Sequence, residues 1–132
     1  MHGNDMLVLD GVSKTYWQGD KDITVLNNVS TIFKQGSSYA ITGVSGSGKS
    51  TLLHMLGGLD EPSSGSVLYN DHNLALMDRA RKSMFLNRHV GFMFQFHYLV
   101  KELSVLENVM MPGLIKGAGS DVIRIRGVER LS

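Results

Sequence analysis

One run constrains this chain more than any other: Gly43-Val44-Ser45-Gly46-Ser47-Gly48-Lys49-Ser50-Thr51. It satisfies G-x-x-x-x-G-K-S/T, and each residue type in it has a physical task. Glycines let the backbone turn its N–H groups inward and leave no Cβ in the way of an approaching phosphate. Inward N–H groups form an anion nest, reinforced by the positive end of the helix that follows. Lys49 would place a point charge on β- and γ-phosphates, the Ser50 hydroxyl would be a Mg²⁺ ligand, and Thr51 a supporting donor. The surroundings suit the motif. Ser38-Tyr39-Ala40-Ile41-Thr42 reads as a buried strand entering the loop. Lys49 to Leu59 carries Leu52, Leu53, Met55, Leu56 and Leu59 at helical spacing. A flexible Gly/Ser linker has no reason to sit between two such segments. The motif still leaves kinases, GTPases, helicases and transporters open.

Composition narrows the class. A length of 132 residues suits one domain, and 42% hydrophobic against 19% charged residues indicates a globular chain. Thirteen basic against twelve acidic residues leave a net charge of +1, with no basic stripe, so no nucleic-acid partner is expected. The absence of cysteine excludes disulfides and thiolate metal sites. His2, His54, His72, His89 and His97 show no metal-ligand spacing. The amino-terminus lacks a signal-peptide pattern, and no apolar run approaches the roughly 18 residues of a spanning helix. The expectation is a cytoplasmic protein whose membrane role, if any, comes through a partner.

Along the chain, Met6–Val12 and Thr24–Phe33 read as strands, broken at Gln18-Gly19-Asp20 and Lys34-Gln35-Gly36. Met6-Leu7-Val8-Leu9-Asp10 reads as a strand ending in a turn. After the phosphate loop and its helix, Gly57-Gly58 weakens the helix and Asp60 to Gly65 turns the chain. Val67–Tyr69 is a short strand, Asp78–His89 a mostly polar helix and Val90–Phe96 an apolar strand. Arg79, Arg81 and Arg88 could serve a kinase lid, but their spacing suits a solvated helix face. Ser104 and Glu107 match a capping box, and Pro112-Gly113 is expected to end that helix. The tail, DVIRIRGVERLS after Gly117-Ala118-Gly119-Ser120, has β-branched residues and an internal Gly127.

Tyr16, in VSKTY, and Gln95, in VGFMFQFHYLVKELSVLENVMMP, are ordinary residues when taken alone. Together with the phosphate loop and STLLHMLGGLDEPSSGSV they make the span Leu7 to Lys116 resemble an ABC ATPase. Within that family it is most like the group serving lipoprotein-releasing, macrolide-export and cell-division systems, the lipoprotein-releasing type above all. The resemblance implies an α/β P-loop core with an antiparallel β-subdomain at the amino-terminus and the start of a helical subdomain after Gln95. It implies that Tyr16, with Trp17 a second candidate, stacks on adenine. Gln95 would reach Mg²⁺ and the attacking water, and Phe96–Lys101 would contact integral membrane subunits. ATP and Mg²⁺ are the implied ligands, a homodimer of ATPase subunits the implied assembly, and the cytoplasmic face of the bacterial inner membrane the implied location.

The LSGGQ-type signature, the hhhhD-E segment, the D-loop and the switch histidine of the family do not follow Gln95, and Leu131-Ser132 comes too soon to begin a signature. The expectation is a truncated or frame-disrupted chain, with residues 1–116 a partial nucleotide-binding domain and 117–132 an atypical tail. Such a chain would bind nucleotide without turning it over. Two rivals stay open: a non-catalytic nucleotide-binding fragment, and a different P-loop enzyme such as a small-molecule kinase.

Overall fold

The computed structural model describes residues 6–131, so His2 and Ser132 lie outside the described residues. The chain divides into two compact units, Met1–Lys82 and Ser83–Ser132.

The first unit is built on an antiparallel sheet. Strands β1 (Met6–Gln18) and β2 (Lys21–Lys34) form a hairpin, and β3 (Ser64–Tyr69) pairs with the other edge of β1. A two-residue strand β4 (His72–Asn73) completes the order β2-β1-β3-β4. Both hairpin strands run longer than sequence alone suggests, because each finds a ladder partner along its length. Register shifts at Leu9/Val12, Val12/Lys14 and Lys14/Thr15 bend β1. Asn70 and Asp71, at φ 47° and 65°, join β3 to β4 as the two central residues of a type I′ turn. The buried side chains are Leu9 and Val12 of β1, Leu26 of β2, Val67 of β3, Met55, and Leu74 from a 3₁₀ turn at Leu74–Leu76. Each such burial stabilises by about 1.5–3 kcal/mol.

Helix α1 (Lys49–Leu56) starts at the phosphate loop. It stops before Leu59 because Gly57-Gly58 closes it with a Schellman pair: Leu59 N–H donates to His54 C=O at 2.8 Å and Gly58 N–H to Met55 C=O at 3.0 Å. Residues 38–42, expected as a buried strand, are not one. Only Ile41 is half-buried, and the segment has no ladder partner among the described residues. A strand without a neighbour leaves its N–H and C=O groups unpaired, so β-propensity alone does not make one.

Helix α2 (Arg79–His89) leads into the second unit, where Phe85 is buried and its ring stacks on His89 at 5.5 Å. Residues 90–96 are also not a strand, for the same reason. They are irregular and end in a bend at Gln95 and Phe96, with Phe92 stacked on Phe94 at 4.7 Å and Phe94 edge-on to Tyr98 at 5.0 Å. Helix α3 (Val105–Ile115) begins with the expected capping box: Glu107 N–H donates to Ser104 Oγ, and Ser104 N–H to Glu107 Oε2 at 2.8 Å.

One expectation fails in this unit: helix α3 continues through Pro112. The tail forms helix α4 (Ser120–Leu131). The reason is packing between α3 and α4. A Cβ on Gly127 would stand 3.0 Å from Leu106 Cδ1 and 3.3 Å from Met110 Cγ, and one on Gly113 would stand 3.1 Å from Ile123 Cγ1. The glycines that look like helix breakers are where the two helices touch. That contact opposes both the roughly 1 kcal/mol cost of a helical glycine and the roughly 3 kcal/mol cost of the proline.

Candidate phosphate-binding loop

The loop from Gly43 to Thr51 sits at the amino-terminus of α1 and lies against β2. Gly48 is the hinge between loop and helix, with φ 86° and ψ 7°, and it supplies no side-chain cap to the first turn. Its backbone is pressed on β2: a Cβ here would lie 2.8 Å from Val25 Cγ1, 2.9 Å from Val25 O and 3.1 Å from Leu26 Cδ2. Lys49 folds back over the loop, its Nζ donating to Val44 O at 2.7 Å and Gly43 O at 2.9 Å. A longer contact of 3.5 Å reaches Ser47 Oγ.

A concavity of about 470 Å³ opens beside the loop, lined by Ser45, Gly46, Gly48, Lys49, Ser50, Thr51 and Val25. Gly43, Val44 and Ser47 lie outside that lining and instead shape the loop, through the Lys49 bonds and a Ser47 N–H to Val44 O bond of 3.2 Å. Sequence reasoning does not find Val25, because nothing in a strand residue distant along the chain marks it as a wall of this site. The lining carries the Lys49 cation, the hydroxyls of Ser45, Ser50 and Thr51, and no carboxylate, which suits an anion. It fits a phosphate chain, and the Ser50 hydroxyl in the lining would be available to a Mg²⁺ accompanying it. Among the described residues no cluster of three or more His, Cys, Asp or Glu could hold a metal by itself.

Tyr16, on β1, is not part of that lining. The residue is 40% exposed and its hydroxyl donates to Asp60 Oδ2 at 2.9 Å. Lys14 Nζ pairs with Asp60 Oδ1 at 2.7 Å, donates to Glu61 O at 2.6 Å and lies 5.0 Å from the Tyr16 ring centroid. Partial burial pushes the Asp60 carboxyl up, but hydrogen bonds from Lys14, Tyr16 and the Glu61 N–H, with the Lys14 charge, outweigh it and hold it below its ordinary value. Trp17 is 80% exposed. Gln95 is exposed at a bend of the second unit, between Phe94 and Phe96.

A glycine-rich loop opening a helix beside an antiparallel sheet, with its lysine folded over it, defines the class: an α/β P-loop nucleotide-binding fold. The profile of the ABC transporter family matches residues 26–130, a span that includes most of α4. The chain belongs to that family. It is 45% identical to the lipoprotein-releasing system ATP-binding protein LolD of Chromohalobacter salexigens over 127 residues, 96% of this chain and 54% of that one. With LolD of Pseudoalteromonas translucida it shares 41% over 129 residues, 97% of this chain and 56% of the other. The chain thus spans about half the length of the curated relatives it matches. Among solved structures it is similar to an ATP-binding cassette seen as a dimer in a post-hydrolysis state bound to ADP and Pi, with a TM-score of 0.86 and 35% identity. That match covers 93% of this chain and 54% of the cassette. A second dimeric structure, of a bacterial ABC transporter cassette, gives a TM-score of 0.87 and 36% identity over the same shares.

Proposed function

We propose that this chain is the phosphate-binding portion of the ATP-binding subunit of a bacterial ABC transporter that drives lipoprotein release from the inner membrane. The observation that carries the reading is the Gly43–Thr51 loop with Lys49 bonded to its carbonyls, in a chain sharing 45% identity with a LolD protein.

The residues act as follows. N–H groups of the loop and the first turn of α1 receive phosphate oxygens. Lys49 exchanges its carbonyl partners at Gly43 and Val44 for the β- and γ-phosphates. Ser50 would contribute a hydroxyl to Mg²⁺, which would supply neutralisation of the phosphate charge. Thr51 supports the loop, and Tyr16 stacks on the base. Gln95 would serve Mg²⁺ and, in the hydrolysing subunit, the attacking water. The segment after it, Phe96–Lys101, meets integral membrane subunits at the cytoplasmic face, and two ATPase subunits pair. A polypeptide of these 132 residues holds no LSGGQ-type signature and no hhhhD-E segment after Gln95, so it binds ATP without turning it over.

Calorimetric titration with MgATP, alongside phosphate release, tests this. Lys49→Ala is expected to weaken binding about 10- to 100-fold, the size of a hydrogen bond to a charged group. Equal affinity in the two proteins would remove the phosphate-loop reading, and steady phosphate release from this polypeptide would refute the non-hydrolysing one.

A further inference from the structure

Asp60 stands just beyond the Schellman close of α1, the helix that begins at the phosphate loop. Its N–H donates to His54 C=O at 3.3 Å, and its own Oδ1 accepts from the Glu61 N–H at 2.8 Å, so the carboxylate is held on the end of that helix. From there it reaches β1 twice. Oδ2 accepts from the Tyr16 hydroxyl at 2.9 Å and Oδ1 from Lys14 Nζ at 2.7 Å. Lys14 is anchored in turn on Glu61 O at 2.6 Å, and Glu61 is paired with Lys82 at 2.7 Å. The pair is sheltered, with the Lys14 side chain 13% exposed and that of Asp60 31%. Tyr16 is 40% exposed, so these bonds rather than full burial hold its side chain.

We propose that Asp60, with Lys14, is a positioning residue: it fixes the Tyr16 ring to the far end of the phosphate-binding helix, so that base and phosphates are read by one rigid frame. The Lys14 ammonium lies over the ring, 5.0 Å from its centroid, and so adds to the hold on it. This rests on the reading that Tyr16 stacks on the base, and the test separates the two ideas.

MgATP and magnesium tripolyphosphate, which has phosphates and no base, are titrated by calorimetry into the 132-residue chain and its variants. Tyr16→Ala is expected to weaken MgATP by roughly 5- to 150-fold, the range for loss of one base–aromatic stack. Tyr16→Phe, which keeps the ring and removes its tether, and Asp60→Ala are each expected to weaken MgATP about 2- to 10-fold, as for loss of a hydrogen bond. Tripolyphosphate affinity stays unchanged in all three. Asp60→Asn, which keeps an acceptor for the tyrosine hydroxyl, recovers part of the loss. If Tyr16→Ala leaves MgATP affinity intact, the base-stacking reading fails and takes the proposal with it. If Tyr16→Ala weakens MgATP while Tyr16→Phe and Asp60→Ala do not, stacking stands and the positioning role is wrong. Equal losses for MgATP and tripolyphosphate in Asp60→Ala would make Asp60 only a support for α1, which also overturns the proposal.

Discussion

Replacing Gly48 by alanine tests the physical link between the loop and the sheet. Two costs are legible at this position. The backbone sits at φ 86°, where an L side chain is strained by about 1–2 kcal/mol. The new Cβ would also lie 2.9 Å from Val25 O, a backbone atom of β2 that cannot turn aside. Overpacking of that kind costs about 1–3 kcal/mol, so the sum is about 2–5 kcal/mol out of the roughly 5–15 kcal/mol that hold a domain folded. Gly46 is the control. Its φ is 79° and nothing lies within 4 Å of a Cβ built there, so Gly46→Ala should carry the strain alone. Urea unfolding of both variants isolates the contact with β2 as a difference of about 1–3 kcal/mol. The crowding can be relieved only by lifting the loop off Val25, which re-aims its N–H groups. Gly48→Ala should therefore also lose MgATP affinity by about tenfold or more, as charge-assisted hydrogen bonds are misaligned. Equal stabilities for the two variants would refute the claim that the loop is seated on β2.

Further outcomes follow from the same geometry. Because Asp60 is held below its ordinary value of 3.8, its contribution to stability is present in full above that pH and is lost as pH falls through the lower folded value. Wild type should thus lose more denaturant resistance than Asp60→Asn between neutral pH and the region below 3.8, and parallel curves would contradict the Lys14–Asp60–Tyr16 linkage. In the second unit, Gly127→Leu should force α3 and α4 apart and cost about 1–3 kcal/mol, measured as faster amide exchange in α4. Gly127→Ala should be close to neutral there, since a gain of about 1 kcal/mol in helix propensity offsets crowding at Leu106. A Gly127→Leu variant with native exchange would mean the two helices do not pack as described.

The local chemistry of the chain is legible in its sequence. The phosphate loop, helix α1 with its Gly57-Gly58 stop and the capping box of Ser104 and Glu107 depend on neighbours within a few residues, and short-range spacing records such dependence. Every feature settled by a distant partner required the tertiary structure. Residues 38–42 and 90–96 have strand composition but form no strand, because a ladder needs a second chain segment in register. Gly127 and Pro112 read as helix breakers, yet both lie within helices. Gly127 does so because α4 packs on α3 there, beside Leu106 and Met110. Val25 becomes a wall of the phosphate loop, and Asp60 the tether of Tyr16, through contacts spanning tens of residues. A sequence states which groups are present and how they behave locally. Which of them meet across such separations is decided by packing, where the free energy of each contact depends on all its neighbours at once.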